Sequence, residues 1–176
     1  MTSIVIAPFS NGDIRDWQPG HFSTLIGLLL DRWDGLIRVI GTRSQATRAA
    51  AIVRPYDATR VISECGRLAW EEVMTEMRRA ACVIGNNSGV THVSGWLGVP
   101  TICIFGGSHQ RLEWHPSGLG VRTISRAIGC APCLLHRTSQ CPYDKACLSQ
   151  IAPETVADAA FAAMGDRIKR ETHNGA

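Results

Sequence analysis

The sequence has no run of basic residues longer than a pair such as Arg78-Arg79, and its basic and aromatic residues do not interleave. With a net charge of only +3, that argues against nucleic acid as the partner. No apolar stretch approaches the ~20 residues a membrane span needs; the longest lies around "LIGLLL". The opening "MTSIVIAPFS" has a short apolar core and no basic lead, so it does not read as a secretory signal. Internal repeats and low-complexity linkers are absent, and no domain boundary is visible. What remains is an ordinary globular balance, 45% apolar and 19% charged, over 176 residues. That length makes one domain, 1–176, with a core that needs no staples. Seven cysteines without a signal point to a reducing cytoplasm, where clustered thiols more often bind metal or stay free than pair.

Short β-rich runs alternate with helical periods. "SIVIAPF", "LIRVIG", "ACVIG", "VPTICIFG" and "VRTIS" read as strands. Between them, apolar residues at Phe22, Leu25, Ile26, Leu29 and Trp33 mark a helix, with Pro19 in its first turn and Gly35 at its exit. "SQATRAAAIV" is a second helix, closed by Pro55. "RLAWEEVMTEMRRA" is a third, with Trp70, Val73, Met77 and Ala80 on one face, and "VTHVSGWLG" a short fourth. Pro153 opens a last helix through "ETVADAAFAAMGDRI", and the tail "KRETHNGA" is expected to fray. The alternation predicts an α/β fold, a Rossmann-like parallel sheet with helices on both faces.

In such a sheet ligands bind at the carboxyl ends of the strands. Two polar turns stand there. One is Ser10-Asn11-Gly12-Asp13-Ile14-Arg15; the other is "GNNSGVTH", Gly85 to His92. In the second, Gly89 starts a helix directly after a strand, and helix N–H groups at a positive dipole end accept phosphate. Ser88 and Thr91 add hydroxyl donors, and Arg15 offers a charge-assisted contact to the same anion. The competing reading is that Asn87 or Ser88 merely caps the helix and His92 is structural. Spacing alone does not choose between them.

"VIGNNSGVTHVSGWLGVPTICIFG", followed by "HPSG" and "CAPC", resembles glycosyltransferase family 9, the heptosyltransferase family. The family pattern is a strand, then Asp-Ser/Thr-Gly-x-x-His, then a small-residue helix and "GVP". "IVIAPFSNGDIRDWQPGHF" is similar to the family's first segment after its interdomain crossover. The resemblance implies the C-terminal half of a GT-B fold, the half that holds a nucleotide-diphosphate sugar, typically ADP-heptose. It assigns Arg15, Ser88 and Gly89 to the diphosphate, Asn87 and His92 to the donor sugar or phosphate, Ser10 and Asn11 to the first turn's contacts, and Gln45 to the nucleoside. The implied reaction is transfer to a lipopolysaccharide-type acceptor, with no metal or cofactor required for the chemistry.

The sequence departs from the family in two ways. Asn87 stands where the family has Asp, so an anionic acceptor becomes an amide that also donates. The half that supplies the family's general base has no counterpart here, so no catalytic residue is assigned and the chain alone is expected to be inactive. A separate N-terminal half or partner chain would complete it. The alternative is a nucleotide-sugar-binding or regulatory module without turnover; a scaffold whose cysteine loop serves interaction is a third reading.

"CAPCLLHRTSQCPYDKAC" places Cys130, Cys133, Cys141 and Cys147 as C-x2-C-x7-C-x5-C. Four thiolates at this spacing predict a structural zinc, or iron, with His136 as a substitute ligand. Free thiols, or two disulfides formed on oxidation, are the other readings. Cys65, Cys82 and Cys103 read as apolar filling. In "GGSHQRLEWHPSG", Ser108, His109, Glu113 and His115 stand near a strand end, though such residues are more often solvated. Trp17, Trp33, Trp70 and Trp96 read as core or interface.

Overall fold

Isoleucine and valine dominate the strands because both faces of the sheet are covered. The computed structural model describes residues 2–174 and contains six strands: β1 (Ser3–Ala7), β2 (Leu36–Val39), β3 (Val61–Ser63), β4 (Cys82–Asn86), β5 (Thr101–Phe105) and β6 (Val121–Ser125). All pair in parallel, in the order β3-β2-β1-β4-β5-β6. The chain winds outward from β1 to β3 and then returns to lay β4 on the other side of β1. The switch in strand order therefore falls between β1 and β4, which opens a crevice at their carboxyl ends.

β3 was not among the expected strands. Its three residues carry too little pattern to be read, and it forms by pairing Val61 with Ile37 on the already placed β2. The other five strands lie where the apolar runs predict.

Alternation along β1 divides the core. Ile4 and Ile6 face α1 (Pro19–Leu30), α2 (Ala46–Val53) and α7 (Pro153–Asn174), together with Phe22, Leu25, Ile26 and Leu29. Val5 and Ala7 face the other way, toward α3 (Trp70–Arg79) and α4 (Gly89–Trp96), with Met77, Ala80 and Val83. Each fully buried Ile or Leu contributes about 1.5–3 kcal/mol. Two further single-turn helices, α5 (Arg111–Trp114) and α6 (Ala146–Ser149), sit in the loops beyond β5 and β6.

Pro19 does begin α1, but the helix ends at Leu30, so Trp33 lies past it and Gly35 leads into β2 instead of closing the helix. α7 runs to Asn174, past the start of "KRETHNGA", and the last two residues lie outside those described. Among the described residues no helix is long and apolar enough to cross a membrane.

The C-x2-C-x7-C-x5-C reading is corrected by the structure. Among the described residues, no group of three or more His, Cys, Asp or Glu side chains is placed to hold a metal ion, and all seven cysteines are free thiols. Neither zinc nor iron is held by Cys130, Cys133, Cys141 and Cys147. Spacing permits ligation but does not by itself supply the geometry that ligands to one ion need, and the loop's path follows its contacts with neighbouring segments. The Cys133 N–H donates to the Gly107 carbonyl at 2.9 Å, and the Lys145 ammonium reaches the Asp13 and Asp16 carbonyls at 3.1 and 2.8 Å. His136, the substitute ligand, lines a small cavity beside Arg15.

Candidate functional site

The loop after β1 is held by a buried carboxylate. Asp16 is only 3% exposed and accepts from the Ser10 N–H at 2.7 Å and the Ser10 hydroxyl at 2.8 Å. Its second oxygen meets Arg48 at 3.0 Å, and that guanidinium lies over the Phe9 ring. Trp17 anchors the far end. Its indole N–H points at the Leu148 and Ile151 carbonyls, and its backbone N–H donates to Asn86. Asp13 accepts the Thr138 N–H at 3.0 Å, which holds its carboxyl below the usual carboxylate range. This fixed frame projects Arg15 across the switch point, where its Nη1 reaches the Asn87 carbonyl at 3.5 Å. Arg15 forms no ion pair with a described carboxylate.

The two adjacent asparagines have different roles. Asn86 is fully buried, accepts from Trp17 and donates to the Pro8 carbonyl at 2.7 Å, so it ties the two turns together. Asn87 accepts from His92 through Nε2 at 3.0 Å. With Oδ1 engaged there, the amide nitrogen of Asn87 lies outside that bond. His92 is held below its ordinary value, first by burial and then by the nearby His115, so it is neutral at pH 7.

Ser88 occupies the N-cap position of α4 but makes no side-chain cap bond, and its hydroxyl is buried without a partner. Ser88 joins the cap through its backbone, whose N–H donates to the Thr91 hydroxyl at 3.3 Å, while its own hydroxyl is left over. Thr91 does not offer the free donor expected from sequence: it is fully buried, and its hydroxyl is directed at the Asn86 and Ser88 carbonyls. Gly89 opens the helix, and a Cβ built there would meet nothing within 4 Å.

These turns border a cleft of about 490 Å³. Of the residues expected from sequence, Ser10, Asn11, Arg15, Gln45, Ser88 and Gly89 line it; Asn87 and His92 do not. The Ser10 hydroxyl is committed to Asp16 and the Gly12 carbonyl, so it shapes the turn. Gln45 spends Oε1 on the Thr42 N–H at 2.8 Å and presents the rest of its amide. The sequence reading missed Thr42, Arg43, Leu68 and the mouth position of Trp70, which is 46% exposed although read as core or interface. A tryptophan at the first position of a helix after a loop was the available signal. Trp17 is core as expected, while Trp96 is 80% exposed. No Asp or Glu lines the cleft, whereas Arg15 and Arg43 do. With one apolar wall and a cationic, N–H-rich end, it suits a flat ring joined to an anion.

Residues 2–145 match the family described as glycosyltransferase family 9 (heptosyltransferase). A search of curated protein sequences found no match. Among solved structures, the chain is similar to the ADP-heptose LPS heptosyltransferase II of E. coli, with TM-score 0.79 and 17% identity over 94% of this chain and 47% of that one. It is also similar to a glycosyltransferase family 9 protein of Veillonella parvula, with TM-score 0.74 and 18% identity over 94% and 46%. A third likeness is the E. coli heptosyltransferase WaaC with ADP, with TM-score 0.72 and 20% identity over 92% and 44%. The chain thus spans about half the length of these structures, and at such identities the likeness shows the shared fold.

Proposed function

This chain belongs to glycosyltransferase family 9, the heptosyltransferase family, and on that premise we propose that it is the C-terminal, donor-binding half of a GT-B glycosyltransferase. The ligand is a nucleotide-diphosphate sugar, with ADP-heptose the leading candidate, and the complete enzyme transfers the sugar to a lipopolysaccharide-type acceptor. The observation that carries this reading is the Ser88 hydroxyl, buried and unpartnered at the start of α4, on a cleft lined by Arg15 and by no carboxylate. The half assignment is supported by the order of the two turns, Ser10–Arg15 first and Asn87-Ser88-Gly89 next, followed by His92. The donor is supported by the names of two similar proteins, one an ADP-heptose transferase and one with ADP.

In this reading the diphosphate lies against the Gly89 end of α4. The helix N–H groups, the Ser88 hydroxyl and the Arg15 guanidinium meet its oxygens. Asn87 and His92 orient the turn toward the sugar. The nucleoside extends along Gln45 and Thr42, with its base against Leu68 and Trp70. During transfer the acceptor oxygen bonds to the anomeric carbon, and the bond from that carbon to the diphosphate breaks. The diphosphate keeps the electron pair, and the developing charge is stabilised by donors already in place. The acceptor proton goes to a base outside this cleft, since no carboxylate lines it.

The test is calorimetric titration of the chain with ADP and with UDP, alongside Arg15→Ala. ADP binding that weakens by about tenfold or more in the variant is expected, the loss of a charge-assisted contact. Binding indifferent to Arg15→Ala, or none at all, refutes the assignment.

A further inference from the structure

Arg15 supplies the guanidinium of the donor cleft, yet its own segment does little to hold it. It ends a three-residue turn of 3-10 helix, Asp13–Arg15. The backbone bonds there are Arg15 N–H to the Gly12 carbonyl at 3.0 Å and Asp16 N–H to the Asp13 carbonyl at 3.1 Å. So short a turn has poor hydrogen-bond geometry and is not stable alone. The Arg15 side chain reaches the Asn87 carbonyl only at 3.5 Å and forms no ion pair with a described carboxylate.

The groups that hold this turn come from far along the chain. The half-buried Lys145 donates its ammonium to the Asp13 carbonyl at 3.1 Å and to the Asp16 carbonyl at 2.8 Å. It bridges the backbone from two residues before Arg15 to one residue after, and spends two of its three protons there. The Thr138 N–H holds the same turn through the Asp13 carboxylate at 3.0 Å. Lys145 itself has a firm base. It directly precedes α6, whose Leu148 is fully buried, and the Leu148 and Ile151 carbonyls accept the Trp17 indole N–H. To reach the turn, the chain takes Asp144 and Lys145 through left-handed backbone, with φ 47° and 50°. Two successive non-glycine residues there are strained, and such strain persists only where the surroundings fix it.

We propose that Lys145 is a positioning residue for the donor: by clamping the carbonyls on both sides of Arg15, it sets the guanidinium toward the diphosphate before the ligand arrives. This rests on the donor reading for the role of Arg15. Lys145 does not line the cleft, so its effect on the ligand runs through Arg15. Without the clamp, the turn and its long side chain have to be ordered when the diphosphate binds, and that ordering weakens binding.

The test is amide-detected NMR titration of the whole chain with ADP and with adenosine. It compares the native protein, Lys145→Met, Arg15→Ala and the double variant, each with its thermal melt. Lys145→Met is expected to weaken ADP by about three- to tenfold, the scale of ordering one long side chain. Adenosine binding is expected to stay unchanged, because adenosine has no diphosphate for Arg15 to meet. Added to Arg15→Ala, Lys145→Met is expected to weaken ADP no further, since two residues acting through one contact are not additive. Lys145→Arg still offers N–H groups to both carbonyls and is expected to restore ADP affinity. Three results overturn the proposal: ADP affinity unchanged in Lys145→Met, an equal loss for adenosine, or a loss that persists in the Arg15→Ala background. If Lys145→Met does not fold, Lys145→Gln takes its place with the same readings, and loss of the fold in both makes Lys145 part of the fold and overturns the proposal. If ADP binding depends on Arg15 but not on Lys145, the donor reading stands and the clamp alone fails. If ADP does not bind, or is indifferent to Arg15→Ala, the donor reading fails and the clamp falls with it.

Discussion

Replacing Gly89 with alanine separates a glycine kept for a ligand from one kept for the fold. A Cβ at Gly89 would touch no heavy atom within 4 Å, and the residue does not sit at a left-handed φ. The fold therefore tolerates alanine, whose greater helix preference adds up to about 1 kcal/mol at a helix position. The new methyl projects into the cleft that Gly89 lines. A phosphate oxygen must come within roughly 2.9 Å of a helix N–H to bond it, and the methyl obstructs that approach. Loss of one charge-assisted hydrogen bond amounts to about 1.5–3 kcal/mol, roughly a ten- to hundredfold rise in Kd. Gly89→Val should weaken binding further. Gly85 is the internal contrast: a Cβ there would lie 2.7 Å from the Ala7 carbonyl oxygen and 3.1 Å from its Cβ. Gly85→Ala should therefore lose about 1–3 kcal/mol of stability whether or not nucleotide is present. Thermal melts and ADP calorimetry on the three variants decide the matter. If Gly89→Ala binds ADP as tightly as the native chain, no diphosphate approaches this helix end. If it unfolds the protein, the glycine belongs to the fold and the reasoning fails.

Asp16→Ala leaves the half-buried Ser10 N–H without its acceptor, which should lower stability by about 1–3 kcal/mol in denaturant melts; because the same turn carries Arg15, ADP affinity should fall with it, and an unchanged affinity would remove Asp16 from the positioning of Arg15. His92 and His109 are both held below the ordinary 6.5, chiefly by burial. The unfolded chain therefore takes up protons first, and stability falls as pH drops below about 6.5 and stops falling on this account once both folded values are passed. The double variant His92→Gln with His109→Gln should flatten that slope in melts, and a slope that persists would assign it to other groups. Cys82 and Cys103, buried and pushed up to about 12, should resist a thiol reagent until the protein is unfolded, with buried Cys65 behaving alike. The half-buried thiols of Cys130, Cys133 and Cys141 should react in the native state, and protection of those three would contradict the loop geometry.

Local pattern was enough for much of this protein. Apolar runs of four or five residues marked five strands, and 3.6-residue periods marked the helices between them, because burial on both sheet faces leaves a signal in any short window. The two polar turns were also legible, since small residues and a basic residue at strand ends are local features. Tertiary structure decided the rest. β3 exists because β2 offers it a partner edge, and three residues cannot announce that. Which polar atom is free could not be read from residue type. Thr91 and Ser88 are both hydroxyl residues of one helix start, yet one hydroxyl is directed at two carbonyls and the other has none. Trp70 reached the cleft only when α3 packed against β1, and Arg43 only when α2, which it precedes, packed against α1 and β3. The cysteine spacing was legible and misleading: sequence separation bounds how near four thiols can come, while only the folded loop decides whether they can share one ion, and among the described residues they are not placed to do so. The sequence by itself determined the strand-and-helix order and the chemistry at two strand ends; folding determined which of those groups remain unsatisfied, because a hydrogen bond is spent or spared only by what the rest of the chain brings within reach.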